Sequence, residues 1–172
     1  AFAANSLLCR VALAHGTIDA ASFGSIRLLA GALALGAILR LRRGAPARGA
    51  ADGWAAAMLF AYVALFSFAY LTLSAGTGAL ILFGAVQLTM FAAGLAGGER
   101  FRAVAWCGLA LAVGGLVVLL SPGLAAPPPA GAAMMAAAGV AWGVYSLRGR
   151  GVADPLAATA ANFARATPLA LL

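Results

Sequence analysis

Seven apolar runs joined by short links leave this chain very few ways to fold. They lie at roughly 1–14, 20–39, 54–73, 76–96, 103–120, 129–147 and 155–172. A helix needs about 20 residues at ~1.5 Å each to cross ~30 Å of hydrocarbon, and the middle five runs come close to that. Hydrocarbon offers no partner for backbone N–H and C=O groups, so each run must satisfy its own as a helix. Alternation of apolar and polar residues, which strands would need, is absent. Hydrophobic residues make up 65% of the 172 positions and charged ones 9%, too little charge to cover the surface of a soluble domain. The first run is shorter than a full crossing and lacks an initiator Met, and the last ends without a following loop. The chain therefore reads as a piece of a longer protein.

The charges are few and one-sided. There are eleven arginines, no lysine, and only Asp19, Asp52, Glu99 and Asp154 as acids, for a net charge of +7. The arginines are scattered between apolar runs and make no basic face with interleaved aromatics, which argues against a nucleic-acid partner. Their loop distribution carries the information instead. Arg40, Arg42, Arg43 and Arg48 fall in the 40–53 loop, Arg100 and Arg102 in 97–102, and Arg148 and Arg150 in 148–154. The alternate loops, 15–19, 74–75 and 121–128, hold no arginine. The positive-inside rule places the arginine-rich loops and the N-terminus in the cytoplasm. Trp54 and Trp106 then fall at the cytoplasmic interface. The expected setting is the bacterial inner membrane, with the lipid bilayer itself as a partner. Cys9 and Cys107 both sit in apolar runs, so no disulfide framework is expected.

The chain also repeats itself. Residues 2–35 and 139–171 each give a helix of small and aromatic residues with a Ser, then an Arg, a short loop with one Asp, and a second helix rich in Ala and Leu. Aligning Asp19 with Asp154 sets Arg27 opposite Asn162. The second unit begins at the sixth helix, so the repeat has an odd number of crossings and its copy must enter the membrane inverted. Inverted repeats with a ligand site between them are a recurring design of secondary transporters.

The stretch "FAYLTLSAGTGALILFGAVQLTMFAAGLAGGERFRAVAWCGLALAVGGLVVLLSPG", residues 68–123, resembles helices 3 to 5 of an EamA-type repeat of the drug/metabolite transporter superfamily. The resemblance rests on the small-residue turn after the third helix, the Gly98-Glu99 pair after the fourth and the Gly-rich fifth. "AWGVYSLRGRG", residues 141–151, resembles the opening helix of the second repeat, and Arg27 matches an arginine common in the second helix of that family. One departure is Gln87, where many members carry a mid-helix Pro. The resemblance implies an all-α polytopic helix bundle of inverted five-helix repeats. Residues 1–123 would be the first repeat and 124–172 the first two helices of the second. Complete members have ten helices, which implies three beyond this chain.

Arg27 stands about eight residues into the second helix, ~12 Å from its end. A guanidinium at that depth is costly. It either snorkels outward or bonds to carbonyls that lock packing, or else it holds an anionic group of a substrate in a cavity. Arg165, about eleven residues into the seventh helix, is harder to explain by snorkelling, whereas Arg10 is near enough to an end for it. Among neutral residues, Asn162 and Gln87 are the expected cavity partners of Arg27 and Arg165. Ser and Thr within the runs read as back-bonded to their own helices. Trp142 and Tyr145 share a helix face and read either as packing or as a platform for substrate. Gly94/Gly98 and Gly139/Gly143 permit close helix contacts.

Some chemistry is not provided for. The sequence has no P-loop, no Cys/His cluster for a metal, and no carboxylate within a run; no cofactor is expected. An enzyme would need a nucleophile–base or metal constellation at membrane depth, and none is visible. The expected function is a secondary transporter of a small polar metabolite, amino acid-like and anionic or zwitterionic, working by alternating access, with a homodimer as its candidate assembly. The alternatives are a small-molecule or drug exporter of the same fold and a non-transporting membrane scaffold. The orientation is testable at once. In a background lacking Cys9 and Cys107, a cysteine placed in the 121–128 loop should react with an impermeant thiol reagent on intact cells. One in the 40–53 loop should not; labelling of the latter would overturn the orientation and the inversion with it.

Overall fold

The computed structural model describes residues 2–14, 18–42, 52–120 and 126–171. His15, Arg43, Arg48 and the 121–125 part of the arginine-free loop lie outside them. The described residues form seven helices and no strand. These are α1 (Phe2–Ala14), α2 (Ala20–Leu41), α3 (Gly53–Ala69), α4 (Ala75–Ala96), α5 (Ala103–Leu120), α6 (Pro129–Arg148) and α7 (Pro155–Ala170). Three of them, α2, α4 and α6, are long and apolar enough to cross a membrane. The outside of the bundle is apolar as well: Val104 is 79% exposed and Leu111 77%. Water would not tolerate so continuous an apolar exterior, whereas lipid tails would.

The third apolar run extends to Leu73, but the helix stops at Ala69. Tyr70 and Leu73 are buried in a turn, so their apolar character reports burial and not helical geometry. Arg10, near the end of α1, closes that turn by donating to the carbonyls of Tyr70 at 2.8 Å and Leu71 at 3.3 Å. Carbonyls at a helix C-terminus have no partner within the helix, and a cation is the fitting one.

Three of the four acids start helices. Asp19, Asp52 and Asp154 accept from the backbone N–H groups of Ser22, Trp54 and Ala157, so each caps the first turn of α2, α3 or α7. Asp52 also pairs with Arg148 at the end of α6, and Asp154 with Arg42 at the end of α2 at 3.0 Å. At the end of α4, Gly98 adopts φ +81°, while Gly98 N–H donates to Leu95 and Glu99 N–H to Gly94. This two-bond stop needs a left-handed residue, which is what the Gly of the Gly-Glu pair supplies.

α3 is the centre of the bundle, packed against α2, α6 and α7. Phe66, Tyr70 and Leu59 bury almost completely there, with Leu28 of α2 and Met135 of α6. α6 also lies along α4, and the contact is close because Gly139 has no side chain. A Cβ at that position would fall 2.6 Å from both the Leu82 carbonyl oxygen and the Ala85 Cβ. The paired ends fix directions. Arg148 meets Asp52, so α6 runs antiparallel to α3; α1 runs parallel to α3, because Asn5 meets Tyr62 and Arg10 meets Tyr70. α2 and α7 are antiparallel, joined by Arg42–Asp154 at one end and by Ser25 Oγ donating to the Ala170 carbonyl at the other. Arg40, Arg42, Arg100, Arg102, Arg148 and Arg150 consequently gather at one end of the bundle.

Two predictions follow from this packing. Gly139→Ala should destabilise the folded protein by about 1–3 kcal/mol, because backbone on α4 cannot retreat from the new methyl. Gly114→Ala on α5, with nothing within 4 Å of its Cβ, should be neutral or slightly stabilising. Thermal unfolding in detergent compares them. The second concerns pH. The Arg148 guanidinium holds the Asp52 carboxyl below its ordinary value near 3.8, and the Ala157 N–H does the same for Asp154. A carboxyl lowered by folding contributes stability that is complete above its unfolded pKa and lost as pH falls through its folded one. The melting temperature should therefore drop below about pH 4. Asp52→Asn, which keeps the cap acceptor but not the charge, should shrink that acid-dependent loss; an unchanged profile would rule out the Asp52 pair as a contributor.

Candidate functional site

Arg27 turns into the bundle. Its Nη2 donates to Asn5 Oδ1 at 3.0 Å, and Asn5 Nδ2 donates to the Tyr62 hydroxyl at 3.2 Å. The guanidinium carbon lies 5.1 Å from the centroid of the Phe66 ring and 5.6 Å from that of Phe23. Each ring face attracts the cation electrostatically, by about 0.5–2 kcal/mol depending on desolvation. Nη1 is buried and has no hydrogen-bond partner among the described residues. Since an arginine cannot shed its charge, a sealed donor without a partner is costly, and the two ring faces offset part of that cost.

Beside Arg27 lies a cavity of about 470 Å³ lined by Asn5, Arg27, Ala30, Leu59, Tyr62, Val63, Trp142 and Phe163. Its walls come from α1, α2, α3, α6 and α7, each contributing from its interior and not from a loop. The Tyr62 and Trp142 rings meet at 4.8 Å between centroids, and Trp142 meets Tyr145 at 5.3 Å. Tyr62 and Phe66 of α3 and Tyr70 just past its end are four apart, so they continue this aromatic line, with Phe66 5.3 Å from Tyr62 and 4.8 Å from Tyr70. Gly31 of α2 leaves room for the Phe163 ring, which closes the cavity from α7.

A second, smaller cavity of about 150 Å³ lies towards the arginine-rich end, between α3, α6 and α7. Asp52, Tyr145, Ser146, Arg148, Thr159 and Asn162 supply its polar lining. Asn162 is only 7% exposed, and its Oδ1 has no partner among the described residues.

The six residues expected at one site are thus divided. Arg27 and Trp142 line the larger cavity, Asn162 and Tyr145 the smaller one. Gln87 is exposed in a groove between α4 and α5 with Leu80, Phe83, Leu111 and Leu116, away from both. Arg165 is exposed on α7 and is not among the lining residues of the Arg27 cavity, so the expected common site for the two arginines is not formed in this structure. Depth along a helix is readable from spacing, but the angle about its axis is decided by packing; α7 turns Asn162, Phe163 and Ala166 inward. Tyr62, Phe66 and Phe23 were not among the expected site residues. Their signal was the four-residue spacing of aromatics on α3 and of Phe23 and Arg27 on α2. Ser67, Thr89 and Thr167 donate to carbonyls four residues back in their own helices.

Comparison with known proteins adds one relative. An uncharacterized protein of Pseudomonas aeruginosa is 57% identical over 173 aligned residues, which cover 100% of this chain and 60% of the relative. The chain thus spans about three fifths of the length of that curated protein. No protein-family model matches the chain, and no solved structure does.

Proposed function

We propose that this chain belongs to a secondary transporter of the EamA-type, drug/metabolite transporter kind, which carries a small anionic or zwitterionic metabolite through the bacterial inner membrane by alternating access. The observation that carries the reading is Arg27, a cation held deep among the helices beside a roomy cavity that it helps to line. A guanidinium fork matches a carboxylate or phosphate in geometry and charge. The aromatic walls supplied by Tyr62 and Trp142 suit the apolar body of such a molecule.

Direction supports the repeat reading. α1 and α6 run oppositely, as do α2 and α7, which is what an inverted copy starting at α6 requires. In this reading residues 1–123 are the first repeat and 124–172 the start of the second. The concentration of arginines at one end supports a cytoplasmic assignment for that end. A scaffold has no use for a cavity that joins a cation to an aromatic wall, so the transport reading is preferred.

The test is counterflow in proteoliposomes containing the full-length protein, using labelled carboxylate, phosphate and amino-acid metabolites. At least one of them should exchange, and Arg27→Leu should cut its rate about 10- to 100-fold, the loss expected for a charge-assisted hydrogen bond of about 1.5–3 kcal/mol. Arg27→Lys should recover only part, because an ammonium cannot present the fork. Full exchange by Arg27→Leu would refute the role assigned to Arg27.

A further inference from the structure

The link between α4 and α5 places an arginine before and after one phenylalanine. We infer that this helix pair holds an anionic phospholipid, its phosphate on Arg100 and Arg102 and an acyl chain in the groove between the helices. The inference stands apart from transport, since it concerns only what the outer surface of the bundle binds.

The loop supplies the head of the site. Arg100 and Arg102 are exposed, and Phe101 between them is half-buried. The Phe101 ring stacks on Phe91 of α4 at 4.1 Å between centroids, and Trp106 of α5 meets Phe91 at 5.0 Å. Gly94 leaves the room, since a Cβ there would fall 2.7 Å from the Phe101 ring. Phe91 lies five residues before the end of α4, or ~7.5 Å along the helix. The three rings thus anchor the loop at the level of an aromatic belt, which sets both guanidiniums at the level of lipid phosphates. Neither arginine pairs with an acid among the described residues, whereas Arg42 and Arg148 at the same end do. Glu99, the one acid of this loop, lies over Gly94, and two arginines against one carboxylate leave the loop positive.

Deeper along the same two helices lies the groove. It encloses about 410 Å³, and apart from Gln87 its lining is apolar. Gly84 and Gly115 line it without side chains, and a Cβ on Gly115 would meet nothing within 4 Å. Gln87 is nine residues from the end of α4, ~13.5 Å down, close to the reach of a lipid tail in one leaflet of a ~30 Å core. A positive rim above an apolar groove is complementary to one molecule with an anionic head and an apolar tail. Guanidiniums bind phosphate by paired N–H donors, and arginines at a membrane surface favour anionic lipids over zwitterionic ones.

The experiment is quenching of Trp106 fluorescence in the full-length protein in phosphatidylcholine nanodiscs, with Trp54, Trp142 and any tryptophan beyond this chain replaced by Phe. The quenchers are phosphatidylglycerol and phosphatidylcholine, each brominated on an acyl chain and added in increasing proportion. Half-quenching should need at least about 5-fold less of the phosphatidylglycerol. Arg100→Gln with Arg102→Gln should bring it to the phosphatidylcholine level. Arg40→Gln with Arg150→Gln removes as much charge from the same end and should keep most of the preference. Soluble glycerol phosphate should not displace the lipid. Equal quenching by the two lipids, equal loss of preference in the two double variants, or displacement by glycerol phosphate would each overturn the assignment. Weak quenching by both lipids would overturn it as well, since Trp106 would then be covered by protein, whether a second copy or a segment beyond this chain.

Discussion

A guanidinium held in the interior must be answered by everything around it, because it has no neutral form to retreat to. Arg27 draws its answers from several helices. α1 contributes the amide of Asn5, α2 the ring of Phe23, and α3 the ring of Phe66 together with the Tyr62 hydroxyl that orients Asn5. The relay is directional. Tyr62 accepts from Asn5 Nδ2, which leaves Asn5 Oδ1 turned to Arg27, and a reversed amide would set donor against donor. One side chain therefore constrains the placing of α1, α2 and α3 relative to each other, beside the cavity that it helps to line.

The charges at the ends follow a different economy. Asp52 and Asp154 each cap one helix and clasp another, so an acid that starts a helix also sets where its neighbour finishes. Water surrounds these groups and screens them, so they locate the helix ends more than they hold the bundle together. Arg10 plays the complementary part at the other end, where it covers carbonyls that α3 leaves open.

Much of this was legible in the residues, and the limits have physical causes. Helix number and approximate bounds followed from runs of apolar residues, since backbone hydrogen bonding in a hydrocarbon setting permits little else. Arg27 was identifiable because charge at that depth is expensive wherever it points. Which way it points was not, because that depends on Asn5, Phe23, Phe66 and Tyr62 meeting from three helices. Arg165 and Gln87 mark the same gap. Each stands well inside an apolar run, and each is exposed because α7 and α4 turn other faces inward. Asp19, Asp52 and Asp154 could have been recognised as caps, each lying just before a helical run. Their cross-helix partners could not, for Arg148 lies 96 residues from Asp52.

The division of the interior into a larger and a smaller cavity depends on what separates them. Trp142 and Tyr145 stand between, on the same helix, and Phe163 and Asn162 are neighbours on α7 that face the larger and the smaller cavity respectively. α6 is seated on α4 through Gly139 and Gly143, where a side chain would meet Leu82, Ala85 and Thr89 directly. Close-packed contacts of that kind resist displacement, since a shift of a few tenths of an ångström already produces overlap. The α7 side is held differently. Its N-terminal end relies on the Arg42–Asp154 pair, over half of whose arginine side chain is exposed, and its other end on the hydroxyl of Ser25 reaching the Ala170 carbonyl. Polar contacts at the bundle ends exchange with water more readily than packed glycine contacts do. The wall that α6 contributes is accordingly the fixed one, and the ends of α7 are where the partition between the two cavities is least firmly secured.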